Sequence, residues 1–174
     1  EIADGGIRLV RWPDYDGNGD HIPDWQQDNG TSVHTYDSQD GSHYITLEIP
    51  SGQRIEYVGV PGTRDDPPPE GVSFPYGYFS LTLGGLPIVG ATTATIHLGG
   101  PAPQTYYKFG RTPDNPQDRW YEFAFDGQTG AEAAGNTVVL HLVDGMRGDH
   151  DLEANGKIAD PGGPAQIAPH AGLY

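Results

Sequence analysis

Short runs of alternating apolar and polar residues, separated by Gly, Pro, Asn and Asp, recur along most of this chain. Almost nowhere does an apolar pattern repeat at helical spacing over three turns, so strands are predicted throughout. In "HYITLEI", Ile45, Leu47 and Ile49 share one face, and the polar residues between them share the other. One buried face and one wet face indicate an antiparallel sheet packed on a second sheet.

Eight runs have this strand-like character: "IRLVRW", "HYITLEIP", "RIEYVGV", "YFSLTL", "TTATIHL", "TYYKFG", "RWYEFAF" and "NTVVLHLV". We therefore predict an all-β fold, an antiparallel β-sandwich of jelly-roll or immunoglobulin-like form preceded by a short acidic N-terminal loop. A hairpin is predicted through Pro50, Ser51 and Gly52, and glycine-containing turns join the last two runs. One short helical turn is predicted in "PDWQQDNG", between Pro23 and Gly30.

The chain of 174 residues is long enough for one closed core, and we divide it into three parts. Residues 1–30 form an N-terminal strand and an acidic loop segment, 31–165 the β-sandwich, and 166–174 an extended tail. The chain starts at Glu1 and contains no apolar run long enough for a membrane span or signal-peptide core. We expect a processed mature chain or an excised fragment.

The formal net charge is −15, with 24 acidic residues against 9 basic ones, two of which are lysines. Such a charge repels nucleic acid and anionic membranes and attracts divalent cations. There is no cysteine, which excludes disulfides and zinc-thiolate sites. Calcium can stabilise an exported protein that lacks disulfides.

The segment "DYDGNGDHIPDWQQ" carries oxygen-bearing side chains at alternate positions of a glycine-rich loop, as calcium ligation requires. Two registers fit. The first begins at Asp14 and puts Gly19 at the sixth position, where the turn demands glycine. The second, preferred register puts its side-chain ligands two residues apart and takes Gln27 at position 12; the predicted ligands are Asp16, Asn18, Asp20, the Ile22 carbonyl and Asp24, with Asp14 auxiliary.

The second register resembles the thrombospondin type 3 repeat and related "DGDGIPD" loops of bacterial secreted proteins. His21 stands where those loops usually carry glycine, so a left-handed backbone there would cost energy. Gln27 replaces a bidentate glutamate, which lowers the expected affinity. The alternative is a solvated acidic turn. We expect a structural role for calcium, because no nucleophile lies near the loop in sequence.

A second acidic run, "HLVDGMRGDHDLEANGKIADPGGP", offers four further candidate metal ligands: Asp144, Asp149, Asp151 and Asp160. The run lacks strict alternation. A network of carboxylates that accept backbone N–H groups and stabilise turns is an equal alternative.

Long motifs resemble the bacterial choice-of-anchor U domain family over about residues 14–165. They are "YYKFG", "TPDNP" and the run from "LVDG" through "GDHD" to "ADPGGP", together with the loop that leads into "DWQQDNGTSV". The resemblance implies an exported bacterial domain located near a surface-sorting signal, with no established biochemical activity. An extracellular or cell-surface location is therefore expected.

No enzyme motif is present: "GxSxG", "HExxH" and a phosphate-binding glycine loop are all absent. His97 and His141 lie in strand-like runs and are expected to be outward-facing or hydrogen-bonded sheet residues. An isopeptide bond from Lys108 or Lys157 to an Asn or Asp, and self-cleavage at Asp66 or Asp160 before proline, rest on residue types alone and are disfavoured. We expect a protein that is not an enzyme.

The predicted function is a non-catalytic, calcium-stabilised structural module, with filament or matrix subunits as one form. Its expected partners are copies of itself or neighbouring domains, with the "IRLV" strand pairing in cis or with a neighbouring subunit's sheet edge. The alternative is a carbohydrate-binding or adhesive module, in which Trp12, Trp25 and Trp120 would stack on sugars. Nucleic-acid binding and membrane insertion are not expected.

Overall fold

The computed structural model describes residues 16–34, 44–59 and 67–168. In this part of the chain the fold is all-β, as predicted: eleven strands form two antiparallel sheets, and the only helical element is a 3₁₀ turn, Asp24–Gln26. The strands are β1 (Gly30–His34), β2 (Tyr44–Glu48), β3 (Arg54–Gly59), β4 (Val72–Ser73), β5 (Phe79–Gly84), β6 (Ala91–Leu98), β7 (Thr105–Thr112), β8 (Asn115–Glu122), β9 (Gly130–Ala134), β10 (Thr137–Val143) and β11 (Ile158–Ile167).

One sheet has the strand order β1-β2-β6-β10-β9, and the other has the order β3-β5-β11-β7-β8, with β4 added to the end of β11. Apolar side chains from the two sheets form one continuous core. Its members include Ile45 and Leu47 of β2, Leu81 of β5 and Leu140 of β10, all at most 1% exposed. This is the packing of two half-buried sheets that the alternation predicts.

The outer face of β2 departs from that alternation. Ile45, Leu47 and Ile49 face the core as predicted, but Thr46 on the opposite face is also buried, with 1% of its surface exposed. Its hydroxyl lies 2.7 Å from that of Ser32 on β1. Some element must therefore cover this outer face near β1 and β2.

The predicted β2–β3 hairpin is wrong. A turn does form, with the Gln53 N–H bonding the Pro50 carbonyl, but β2 and β3 enter different sheets. The reason is that both edges of β2 are already paired, with β1 on one side and β6 on the other. The turn at residues 50–53 therefore crosses between the sheets. The predicted glycine turn between β9 and β10 does connect an antiparallel pair.

Strand β11 was not predicted as a strand, and it lies in the middle of its sheet. It contains Pro161 and Pro164, and proline cannot donate to a ladder. The sheet accommodates both prolines because β11 pairs with β5 over residues 158–162 and with β7 over residues 162–165. Each proline thus lies where β11 is paired with one neighbouring strand: Pro161 with β5 and Pro164 with β7. β11 also runs two residues past the predicted sandwich boundary at residue 165.

The predicted helical turn is present but shorter than expected. Pro23 precedes it at the cap position instead of occupying its first residue, and Gly30 begins β1. The predicted strand "IRLVRW" and the ligand Asp14 lie outside the described residues. Within the described ranges, no helix has the length and apolar character needed to cross a membrane.

Candidate functional site

The acidic loop from Asp16 to Gln27 closes around the carboxylate of Asp16. This carboxylate accepts backbone N–H groups from Gly19 at 2.7 Å, Asp20 at 3.1 Å and His21 at 2.8 Å. Three amide donors on one side chain fix the first turn of the loop. Asp16 thus turns inward, as the preferred ligand register predicts for its first position.

The second half of the loop converges on the side-chain amide of Gln27. Its Nε2 donates to both carboxylate oxygens of Asp20, at 2.9 and 2.8 Å, and to the Ile22 carbonyl at 3.1 Å. Hydrogen bonds from Ile22 N–H and Gln27 lower the pKa of Asp20. These oxygens belong to predicted positions 5 and 7, and Gln27 to position 12. The Gln27 amide therefore connects two of the predicted ligand positions from a third.

The backbone at His21 is left-handed, with φ of 70°. The sequence comparison with glycine-bearing loops anticipates this conformation, which is uncommon for a residue with a side chain. Its N–H bond to Asp16 helps to offset the strain. Nearby, Nδ2 of Asn18 is buried without an acceptor among the described residues, while its Oδ1 accepts the Asp20 N–H at 3.2 Å. The loop interior therefore contains one unsatisfied polar atom.

Asp24 attaches the loop to the sandwich. One carboxylate oxygen accepts the Gly17 N–H at 3.2 Å, and the other accepts the Ser32 hydroxyl, which in turn contacts Thr46. The three residues of this hydrogen-bonded series, Asp24, Ser32 and Thr46, are each less than 9% exposed. The loop is thus the element that covers the outer face of β1 and β2. Asp24 is committed to this docking, which sequence spacing alone did not indicate.

The loop's donor set matches what calcium prefers, namely carboxylate and carbonyl oxygens. Asp16, Asp20, the Ile22 carbonyl and the Gln27 side chain are the groups that would hold the ion. Across residues 16–34, 44–59 and 67–168, no group of three or more His, Cys, Asp or Glu side chains is arranged to hold a metal. Calcium would therefore rely on amide, carbonyl and water oxygens beside two carboxylates, and it stays a prediction.

Asp144, in the second acidic run, connects its own turn to two other backbone segments. Its carboxylate accepts N–H groups from Val89 at 2.8 Å, Asn155 at 3.1 Å and Gly156 at 3.0 Å. Burial opposes ionisation, but these backbone donors together lower the pKa of Asp144. The arrangement corresponds to the turn-stabilising alternative for this run.

Asp149 and Asp151 also stabilise backbone turns. Asp149 accepts the N–H groups of Gly145 at 2.9 Å and Ala159 at 3.1 Å, and burial raises its pKa. Asp151 accepts the Glu153 N–H at 2.8 Å and the Asn155 side-chain amide at 3.0 Å. The three acids thus have separate sets of donors. Their role as metal ligands is not tested by this geometry.

Asp160, the fourth predicted ligand, faces a lysine in the core. Nζ of Lys108 on β7 lies 2.9 Å from Oδ1 of Asp160 on β11, and the two side chains are 1% and 0% exposed. The approach is not aligned as a hydrogen bond, so neither carboxylate oxygen has a donor of good geometry among the described residues. Nζ also donates to the Gly148 carbonyl and lies 4.4 Å from the centroid of the Phe123 ring.

In the sequence, Lys108 is a candidate for isopeptide chemistry by residue type alone. One signal was present: in "TYYKFG", Lys108 falls on the same strand face as Tyr106, which is fully buried. A lysine at a core-facing strand position is rare unless it has a partner. The partner itself could not be found without the β7–β11 pairing.

His97 and His141 are sheet residues with acidic partners. Their Nε2 atoms lie 3.2 Å from Glu48 and 2.7 Å from Glu132, respectively. This confirms that both are hydrogen-bonded positions on strands.

Comparison with protein-family models, curated proteins and solved structures finds no significant match to this chain. The resemblance to the choice-of-anchor U family therefore rests on the quoted motifs.

Proposed function

We propose that this chain is a non-catalytic, calcium-stabilised structural module of an exported bacterial surface or extracellular protein, such as a filament or matrix subunit. The family resemblance supports export. The acidic loop supports the stabilising role, because a cation bound there would act on a segment that covers part of the sandwich.

The observation that carries the proposal is the double connection of the loop. The carboxylates of Asp16 and Asp20 and the Ile22 carbonyl accept hydrogen bonds from groups of the loop itself, while Asp24 attaches the same loop to Ser32 on β1. Calcium would neutralise the carboxylates of Asp16 and Asp20 and hold the loop closed, and the buried Asp24 contact would transmit that stability to the sheet. A loop stabilised in this way supports a structural role for the protein.

The direct test is thermal unfolding with calcium and with a chelator. We expect calcium to raise the melting temperature of the wild-type chain, by an amount that grows with its concentration. Asp20→Asn should abolish most of this increase. Asp28→Asn is the matched control, because it makes the same charge change on an exposed residue of the same segment. A wild-type melting temperature that is equal in calcium and chelator would refute the calcium part of the proposal.

A carbohydrate-binding or adhesive module is the second candidate. An aromatic cluster on the outer face of the β3-β5-β11-β7-β8 sheet favours it. Trp120 is the centre of this cluster, with ring centroids 4.9 Å from Phe74, 5.5 Å from Tyr78 and 5.4 Å from Phe109. Half-buried aromatic surfaces of this kind suit sugar stacking. Trp25, at 59% exposure, lies in the acidic loop, and Trp12 lies outside the described residues.

A glycan array probed with and without chelator separates the two functions. Binding that is lost on chelation would favour the carbohydrate-binding function, with calcium bridging the sugar. Binding that persists with chelator but is lost in Trp120→Ala would place a sugar on the aromatic cluster. Absence of binding in both conditions would favour the structural module.

A further inference from the structure

The Lys108–Asp160 pair is enclosed in the core between adjacent strands, with side chains 1% and 0% exposed. Lys108 is opposite Gly162 in the β7–β11 ladder, and Asp160 is two residues before Gly162 on the same face. Diagonal neighbours of this kind are within reach of a long side chain. Gly162 leaves room for the Tyr106 ring, because a Cβ at residue 162 would lie 2.6 Å from that ring.

The surroundings of the pair are mainly apolar and aromatic. Phe123 packs against Nζ, and Tyr106 is fully buried with a hydroxyl that has no hydrogen-bond partner among the described residues. Gly148, with φ of 102°, brings its carbonyl to Nζ; a Cβ at this position would meet Phe123 at 2.4 Å. The amine and the carboxyl group are thus held in contact and shielded from bulk water.

We propose that Lys108 and Asp160 join in an intramolecular isopeptide bond, which covalently connects the central strand β11 to β7. The geometry provides the two reacting groups at contact distance, held by neighbouring strands and shielded from hydrolysis. Proximity of this kind removes most of the entropic cost of a reaction between two groups. The inference is independent of calcium and of the proposed function.

The reaction requires no cofactor. Nζ of Lys108, as a neutral amine, attacks Cγ of the protonated Asp160 carboxyl group; the C–N bond forms and the C–OH bond breaks. The departing hydroxyl takes a proton from the nitrogen and leaves as water, so atoms and charge balance. Burial lowers the pKa of Lys108 and raises the pKa of Asp160, although their mutual attraction opposes both changes. These directions favour the two neutral forms that the reaction consumes.

The decisive experiment is mass spectrometry of the purified, denatured wild-type chain, intact and after trypsin. We expect an intact mass lower than the calculated mass by one water. Trypsin should leave residues 65–111 covalently joined to residues 158–174, because an acylated Lys108 is no longer a cleavage site. Fragmentation of this pair should locate the new amide. Cyclisation of Glu1 could also remove water, so the joined peptides decide the matter.

Two variants make the test sharper. Asp160→Asn can form the same amide with loss of ammonia, so its linked product should have the same mass as the linked wild-type chain. Asp160→Ala and Lys108→Arg should both give separate peptides and their full calculated masses. A folded wild-type chain that yields separate peptides 65–108, 109–111 and 158–174 would overturn the proposal. This outcome does not depend on whether the variants fold.

Discussion

Replacing Asp24 by alanine tests whether the acidic loop is docked on the sandwich as the structure shows. Asp24 is 7% exposed, and its carboxylate accepts the Gly17 N–H and the Ser32 hydroxyl. Asp24→Ala would leave Ser32 without this acceptor in a buried position beside Thr46. The substitution would also remove the hydrogen bond that holds Gly17, at the start of the loop, to residue 24.

The size of the effect follows from these contacts. A hydrogen bond to an ionised acceptor contributes about 1.5–3 kcal/mol, and the partly solvated Gly17 N–H would recover some of its loss through water. We therefore expect a loss of about 3 kcal/mol in the free energy of unfolding. For a domain of this size that corresponds to a melting temperature lower by about 6–12 °C. Asp24→Asn, which keeps one oxygen acceptor, should lose about half as much.

The assay is thermal unfolding followed by circular dichroism, in chelator and in calcium, with Asp28→Ala as the control. Docking predicts that Asp24→Ala is destabilised in both conditions, whereas the exposed Asp28 should have little influence. The reasoning would be refuted if Asp24→Ala unfolded at the wild-type temperature in chelator and differed only in calcium. That result would make Asp24 a ligand alone.

Three further predictions address other parts of the molecule. Because backbone donors lower the pKa of Asp144, its contribution is present above the ordinary carboxyl pKa and is lost as pH falls through the folded-state pKa. Denaturant titrations should thus show the stability gap between wild type and Asp144→Asn shrinking below about pH 4; a gap constant down to pH 2 or so would contradict this sign. Ile158→Ala, in the buried part of β11, should cost about 2–5 kcal/mol in the same assay, against less than about 1 kcal/mol for the 43% exposed Ile167→Ala. Deletion of residues 1–11 should change the oligomeric state in size-exclusion chromatography if the "IRLV" strand pairs with a neighbouring subunit, and unchanged assembly would exclude that pairing.

Much of the fold could be predicted because strand alternation is a local signal. Seven of the eight predicted strand runs fall in described parts of the chain, and all seven correspond to strands. β11 was missed because its prolines and glycines carry the local signal of a loop. Only its neighbours determine that each proline lies where β11 is paired with one strand instead of two.

The acidic loop shows the same division. Glycine placement and side-chain spacing indicated a tight loop containing Asp16 and Asp20, and the absence of glycine at position 21 pointed to the backbone cost at His21, because both follow from a few consecutive residues. The docking of Asp24 on Ser32 could not be inferred, since it joins the loop to a strand and depends on Thr46 of a third element. Contacts between elements are not encoded in local spacing.

The sequence by itself determined the all-β class, most strands and the strong negative charge, because each depends on composition or on residues close together in the chain. Tertiary structure alone decided which sheet each strand joins, the use of Asp144 and Asp149 to hold turns, and the pairing of Lys108 with Asp160. The last two residues are 52 positions apart and meet only because β11 lies beside β7. Burial then changes the chemistry of both groups, since a low-dielectric core disfavours their charged forms.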